Sequence, residues 1–153
     1  IMLEKDPGRL AKAMELGADV GLNPAEHEDI AAVVRGMCND GRGPDAVIEA
    51  VGQPATWELA IDIVRKGGIV VEYGGCAKGT TITVDTVRLH YDEITIKGSY
   101  SATAYETEVA GTLLSRGLIK SEDYVSGVYS LEQTKEALEA HMNGKGVKFL
   151  IKP

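Results

Sequence analysis

Four places in the 153-residue chain set a carboxylate, a hydroxyl or a glycine directly after an apolar run, and chemistry would sit there. The first is Glu4, which closes Ile1–Leu3 and precedes Lys5, Asp6 and Pro7. A carboxylate ending a strand can accept both hydroxyls of an adenosine ribose. It would meet a 2′-phosphate with like charge, so an acid here favours NAD over NADP. Lys5 and Arg9 pull the other way, and Glu4 and Asp6 also suit the capping of a following helix; spacing leaves these readings open. The second place is Ala50–Val51–Gly52, after a run that carries the unusual Glu49. A glycine there lets backbone approach a ligand with no Cβ in the way. A carboxylate inside an apolar run needs partners, and Glu49 reads either as orienting a loop amide or cofactor hydroxyl, or as a partly exposed strand end. The third is Tyr73–Gly74–Gly75, where paired glycines make either a flat gap for a planar ring or a plain turn. The fourth is Gly98–Ser99–Tyr100–Ser101, whose backbone amides and carbonyls could read a carboxamide.

None of these is a catalytic set. His27, His90 and His141 lie far apart, with no Glu or Cys at ligand spacing beside them, and they read as surface or structural residues. Cys38 and Cys76 share no metal-type spacing and read as free thiols. No nucleophile elbow, P-loop or HExxH is present. The expectation is no catalytic and no metal-ligating residue in this chain.

The elements that must hold these places alternate. "GRLAKAMELG" has one apolar face at helical spacing, and "ADVGLNP" follows as a short strand. A helix is expected from Pro24–Ala25 to Asn39, since Glu26, Glu28 and Asp29 suit the positive end of its dipole. A strand follows over Ala46–Val51, a helix from Pro54 or Thr56 to Gly67–Gly68, and a strand in "IVVEYGG". "TITV" (Thr81–Val84) reads as a short strand and "EITIKGSYS" as another. Two amphipathic helices, "AYETEVAGTLLSRGLI" and "SLEQTKEALEAHMNG", come next, the second opening on a Ser130–Gln133 capping box, and "VKFLIKP" closes as a strand. Continuous apolar strands alternating with helices predict an α/β fold with a doubly wound parallel sheet.

Composition narrows the partners. Hydrophobic residues are 44% and aromatic residues only 5%, which predicts an aliphatic core. A net charge of −7 with no basic cluster argues against nucleic acid. No apolar run approaches the roughly 18 residues of a membrane span, and Glu4 and Asp6 interrupt the only apolar start, so the chain is expected to be cytoplasmic.

"RLAKAMELGAD", "DAVIEAVGQPATWELAIDIVRKGGIVVEYGG", "HYDEITIKGSYS" and "VKFLIKP", in this order, resemble the zinc-type medium-chain alcohol dehydrogenases, closest to the sorbitol (polyol) and threonine dehydrogenase branches. The resemblance covers nearly the whole chain. It implies a Rossmann domain that binds NAD, with NADP possible, beside a catalytic domain whose zinc polarises an alcohol while a hydride passes to the nicotinamide. Carried over by motif, Glu4 resembles the acid on the adenosine ribose and Arg9 its basic neighbour. Ala50, Val51 and Gly52 resemble the wall beside the adenosine half. Tyr73, Gly74 and Gly75 resemble the strip beside the nicotinamide. Ser99 and Ser101 resemble positions whose backbone meets the carboxamide, and Lys148 a basic residue near the pyrophosphate. Thr80–Val84 falls where the family pairs sheet edges across a homo-oligomer.

The chain also departs from the family. Residues 1–153 read as a partial Rossmann domain with a C-terminal strand, lacking the first strand, its GxGxxG loop and the zinc domain. The expectation is therefore the cofactor-binding portion of an oxidoreductase acting on a secondary alcohol or ketone, of polyol, sugar-derived or amino-alcohol type. Alone it is expected to be inactive. Two alternatives are a zinc-free quinone or enoyl reductase of the same superfamily, and a non-enzymatic module that completes its sheet with a partner.

Overall fold

The runs that end at Glu4, Glu49, Glu72 and Gly98 become parallel strands in the computed structural model, which describes residues 1–153. β1 (Met2–Leu3) leads through α1 (Pro7–Glu15) to β2 (Gly21–Leu22), its parallel partner. Asp6 starts α1, its carboxylate accepting from Arg9 N at 2.8 Å, and Pro7 supplies a first-turn residue that needs no amide partner. A 3₁₀ turn at Pro24–Glu26 precedes α2 (Ile30–Met37). Next come β3 (Ala46–Glu49), α3 (Pro54–Ile63), β4 (Ile69–Glu72), α4 (Thr86–Tyr91) and β5 (Thr95–Gly98). β3, β4 and β5 form a parallel three-stranded sheet in that order. α5 (Ala104–Ser115) leads to β6 (Val125–Ser130), and α6 (Thr134–Met142) connects β6 to its parallel partner β7 (Lys148–Lys152).

The parallel α/β class is the one expected, but the strands fall into three groups rather than one sheet. No strand of this chain hydrogen-bonds β1 to β3. Packing joins what hydrogen bonds do not. Val47 of β3 touches one cluster built on Ala60, Ile61, Val64, Val70 and Ile94, and a second built on Ala31, Val34 and Ile63. Both are aliphatic, as the composition predicts. The accessible surface is 10815 Å² for 16.3 kDa, against roughly 7,500 Å² for a folded monomer of that mass. α5 shows where part of the excess lies, since it buries no residue.

Several expectations are corrected. Thr81–Val84 is not a strand: Ile82 and Val84 pack on the core, but no neighbouring strand offers a ladder. The helix expected from Pro24 starts at Ile30, because Asp29 accepts from Ala32 N at 2.8 Å and is the true cap. The Ser130–Gln133 box is half made. Ser130 N donates to Gln133 Oε1 at 3.1 Å, while Ser130 Oγ turns to Glu132 at 2.7 Å, and α6 begins later, at Thr134. α4 and β6 have no counterpart among the elements expected from sequence.

Arg88 of α4 closes the end of α3. Its guanidinium donates to Ile61 O at 3.0 Å, Asp62 O at 2.6 Å and Val64 O at 2.6 Å, and pairs with Asp92 at 3.1 Å. These are carbonyls that a helix end leaves without intrahelical donors. Lysine keeps the charge but not the fork. Arg88→Lys is expected to cost about 1–2 kcal/mol in urea unfolding, and an unchanged midpoint would refute the capping role.

Candidate functional site

β3, β4 and β5 finish level, with Glu49 opposite Glu72 and Glu72 opposite Gly98. In open parallel sheets this carboxyl end is where ligands bind. The three turns beyond it are stitched together by backbone. Tyr73 N and Gly74 N both donate to Glu49 O, at 2.9 and 2.8 Å, and Ser99 N donates to Glu72 O at 3.1 Å.

Glu49 is 5% exposed, which rules out the reading of a half-solvated strand end. Its oxygens accept from Val51 N at 2.8 Å, Gly52 N at 3.0 Å and Thr56 Oγ1 at 2.8 Å. The side chain thus folds back and fixes its own turn, as the loop-orienting alternative holds. Gly52 can occupy this turn only because it lacks a Cβ. It sits at φ 82°, and a Cβ would lie 2.5 Å from Gly75 O. A Cβ on Gly74 would meet Glu49 Oε2 at 2.6 Å and Val51 N at 2.8 Å. Trp57 Nε1 then donates to Gly74 O at 2.9 Å and holds this second turn from α3. On the other side the glycines open outward, for a Cβ on Gly75 or Gly98 would meet no atom within 4 Å.

The ledge so formed borders an open cavity of about 710 Å³, whose wall includes Gly74, Gly75, Gly98 and Ser99 together with Trp57 and Glu72. Of the residues singled out from sequence, the structure brings Gly74, Gly75, Gly98, Ser99 and Tyr100 to this wall, together with Cys76 and with Thr80, Thr81 and Ile82 of the Thr80–Val84 segment. Gly52 supports it from beneath. Tyr73 is exposed beside it, and Ser101 lies beyond at φ 62°, a left-handed conformation costly for a residue with a Cβ. Ala50 and Val51 are exposed on the β3 turn.

Glu4 and Arg9 form a separate group at the end of β1. Arg9 Nε and Nη2 each donate to one Glu4 oxygen at 2.9 Å, and Asp6 N adds a third bond at 2.8 Å. Arg9's hydrogen bonds lead in holding the Glu4 carboxyl below its ordinary value. Capping of α1 falls to Asp6, so Glu4 is left to Arg9 and the turn. Lys148 begins β7 and lines another, smaller cavity with His141 and Phe149.

Sequence reasoning missed Glu72. It is 3% exposed, and neither of its oxygens meets a donor. Burial first, and then the charge of Glu49, raise its carboxyl from the ordinary 4.5 to about 7. The signal was available: "VIE" and "VVE" each close an apolar run with glutamate, so the level strand ends set the two acids side by side.

Comparison with known proteins places the chain in a family. The family described as "Zinc-binding dehydrogenase" matches residues 1–116. A D-arabitol-phosphate dehydrogenase of Enterococcus avium is 33% identical over 149 residues, 97% of this chain and 42% of that protein. A sorbitol dehydrogenase of Halalkalibacterium halodurans is 30% identical over 99% of this chain and 43% of that protein. Among solved structures, the alcohol dehydrogenase TADH from Thermus sp. ATN1 superposes with a TM-score of 0.87 at 30% identity, covering 99% of this chain and 43% of that one. The fold is Rossmann-like, with parallel strands and covering helices, and matches that of the Thermus alcohol dehydrogenase. The chain belongs to the zinc-binding dehydrogenase family, and it spans less than half the length of the relatives it matches.

Glu72 makes stability depend on pH. The folded chain holds this proton more tightly than the unfolded chain, so stability falls as pH rises from about 4.5 to about 7. The loss, about 3 kcal/mol, is complete above that window. Glu72→Gln, which has no proton to lose, is expected to flatten this slope and to be the more stable protein at pH 8 in urea titrations. Equal slopes in the two proteins would refute the assignment.

Proposed function

We propose that residues 1–153 are the cofactor-binding portion of an NAD(P)-dependent dehydrogenase. The whole enzyme would move a hydride between nicotinamide and a secondary alcohol or ketone of the polyol, sugar-derived or amino-alcohol class. The observation that carries this reading is the glycine ledge at the level ends of β3, β4 and β5. Gly52 and Gly74 cannot take a Cβ, while Gly75 and Gly98 face open space. That is backbone shaped for close approach by a flat group.

The residues present fit a dinucleotide. Glu4, held by Arg9 and Asp6 N, keeps one lone-pair site, on Oε2, for a ribose hydroxyl. Arg9 stands beside it to meet a phosphate if one is present. Ala50, Val51 and Gly52 wall the adenosine half. Tyr73, Gly74 and Gly75 take the face of the nicotinamide, and the backbone at Ser99 and Ser101 reads its carboxamide. Lys148 approaches the pyrophosphate. When bound, the cofactor supplies the hydride chemistry, and the chain supplies orientation and exclusion of water.

In this reading the zinc and its ligands belong to a catalytic domain outside these residues, and the 153 residues alone turn over no alcohol. The exposed α5 and the surface excess are the faces such a domain would cover. The Thr80–Val84 segment, with Thr80, Thr81 and Thr83 outward and Ile82 and Val84 on the core, is the surface offered to a second copy.

The test is dinucleotide binding by the full-length protein, followed through Trp57 fluorescence. Glu4→Gln is expected to weaken NAD by about tenfold or more, the scale of one lost charged hydrogen bond. Failure of both NAD and NADP to bind, or wild-type affinity in Glu4→Gln, would overturn the reading.

A further inference from the structure

Glu72 has no task in the reading above. It is buried, neither oxygen meets a donor, and it belongs to the wall of the cavity that Gly74, Gly75 and Ser99 also line. It directly precedes the Tyr73–Gly75 strip in the chain. Its register partner Glu49 is the opposite case, with its oxygens engaged by Val51 N, Gly52 N and Thr56. Two carboxyl groups therefore lie side by side at the strand ends, one satisfied and one not.

The surroundings offer Glu72 no cation. β3 contributes only Glu49, whose charge opposes a second one. α3 contributes Trp57, while Glu58 accepts from Thr83 N at 2.9 Å and is exposed. The segment after β4 contributes the Cys76 thiol, and Lys78 is exposed. β5 ends in Gly98 and Ser99 with the Tyr100 phenol beyond. Its Lys97 pairs with Val71, so it points to the other face of the sheet. A carboxyl so placed rewards any positive charge brought to the ledge. The two redox forms of a nicotinamide differ in that respect, since the oxidised ring is cationic and the reduced ring neutral.

We propose that Glu72 sets the redox-state preference of this site: ionised, it favours the oxidised nicotinamide over the reduced one, so that binding the oxidised form expels the Glu72 proton. This rests on the reading that a nicotinamide lies along Tyr73–Gly75. The step moves one proton and no electrons, with Glu72-COOH becoming carboxylate as the cationic ring arrives and the proton passing to solvent. A carboxyl raised to about 7 changes charge in the neutral range, where the preference would be felt. The sign is set by the same proton. As pH rises through 7 the carboxylate forms and the oxidised cofactor binds relatively better. As pH falls the preference is lost.

The experiment measures dissociation constants of NAD⁺ and NADH for the full-length protein and for Glu72→Gln between pH 6 and pH 8. The ratio of the NAD⁺ constant to the NADH constant is expected to fall about fivefold or more further in the wild type than in the variant. Should the variant fail to fold, ¹³C-carboxyl titration of wild-type Glu72 serves instead. Its midpoint is expected to be lower with NAD⁺ bound than with NADH bound. Both cofactors binding with the same pH dependence in wild type and variant, or one midpoint with either cofactor, would overturn the proposal and leave the binding reading standing. If neither cofactor binds, both fall together.

Discussion

The grip of Glu49 on its own turn is the interaction on which the site depends. One carboxylate takes two backbone amides and a hydroxyl, and its own main-chain carbonyl takes the amides of Tyr73 and Gly74. Through these bonds the ends of β3 and β4 become one rigid edge. Gly52 and Gly75 can then touch backbone to backbone, and Trp57 locks the second turn from above. Burying a carboxyl is costly unless its lone pairs are used. Here they are used by the turn the site requires, so the polar group and the loop geometry stabilise each other.

Glu72 shows what the same position costs without such partners. Both acids close a β strand, both are nearly inaccessible, and they face each other in register. They differ in the turns beyond them. After Glu49 the chain turns back so that its amides reach the side chain. After Glu72 the Tyr73 and Gly74 amides are already committed to Glu49 O. The satisfaction of one acid thus leaves the other without donors. Elsewhere in the fold, packing on α3 joins the β1–β2 pair to β3, and Arg88 secures α3 by holding its terminal carbonyls.

Much of this is legible in the residues, and the remainder is hidden for definite physical causes. Runs closed by glycine or acid mark the parallel strands, most clearly at β4, which is covered on both faces, whereas Ile48 of β3 is left exposed. Thr81–Val84 misleads because alternation reports which side chains are buried, not whether a neighbouring strand exists. β6 is hidden for the converse reason: Gly127 breaks its pattern, and only pairing with β7 defines it. α4 is six residues long and has little periodicity to detect, though Asp85 caps it by accepting from Val87 N. In the site, the glycine positions are readable and the engagement of Glu49 is one of two open alternatives. Glu72 is masked by its setting, since a single acid before paired glycines looks like part of their turn. That two acids from separate segments stand in register is a fact of sheet pairing, which no local pattern states.

The Glu4–Arg9 fork has a bearing on how fast anything anionic can arrive. The chain carries a net charge of −7, and its general field repels phosphate-bearing molecules. At the end of β1 the planar guanidinium covers both carboxylate oxygens, so from a distance the pair is a dipole rather than a negative point. Its field fades with separation faster than that of a lone acid. The mouth of β1 is therefore a gap in the repulsive screen, and approach there should respond less steeply to ionic strength than the overall charge suggests.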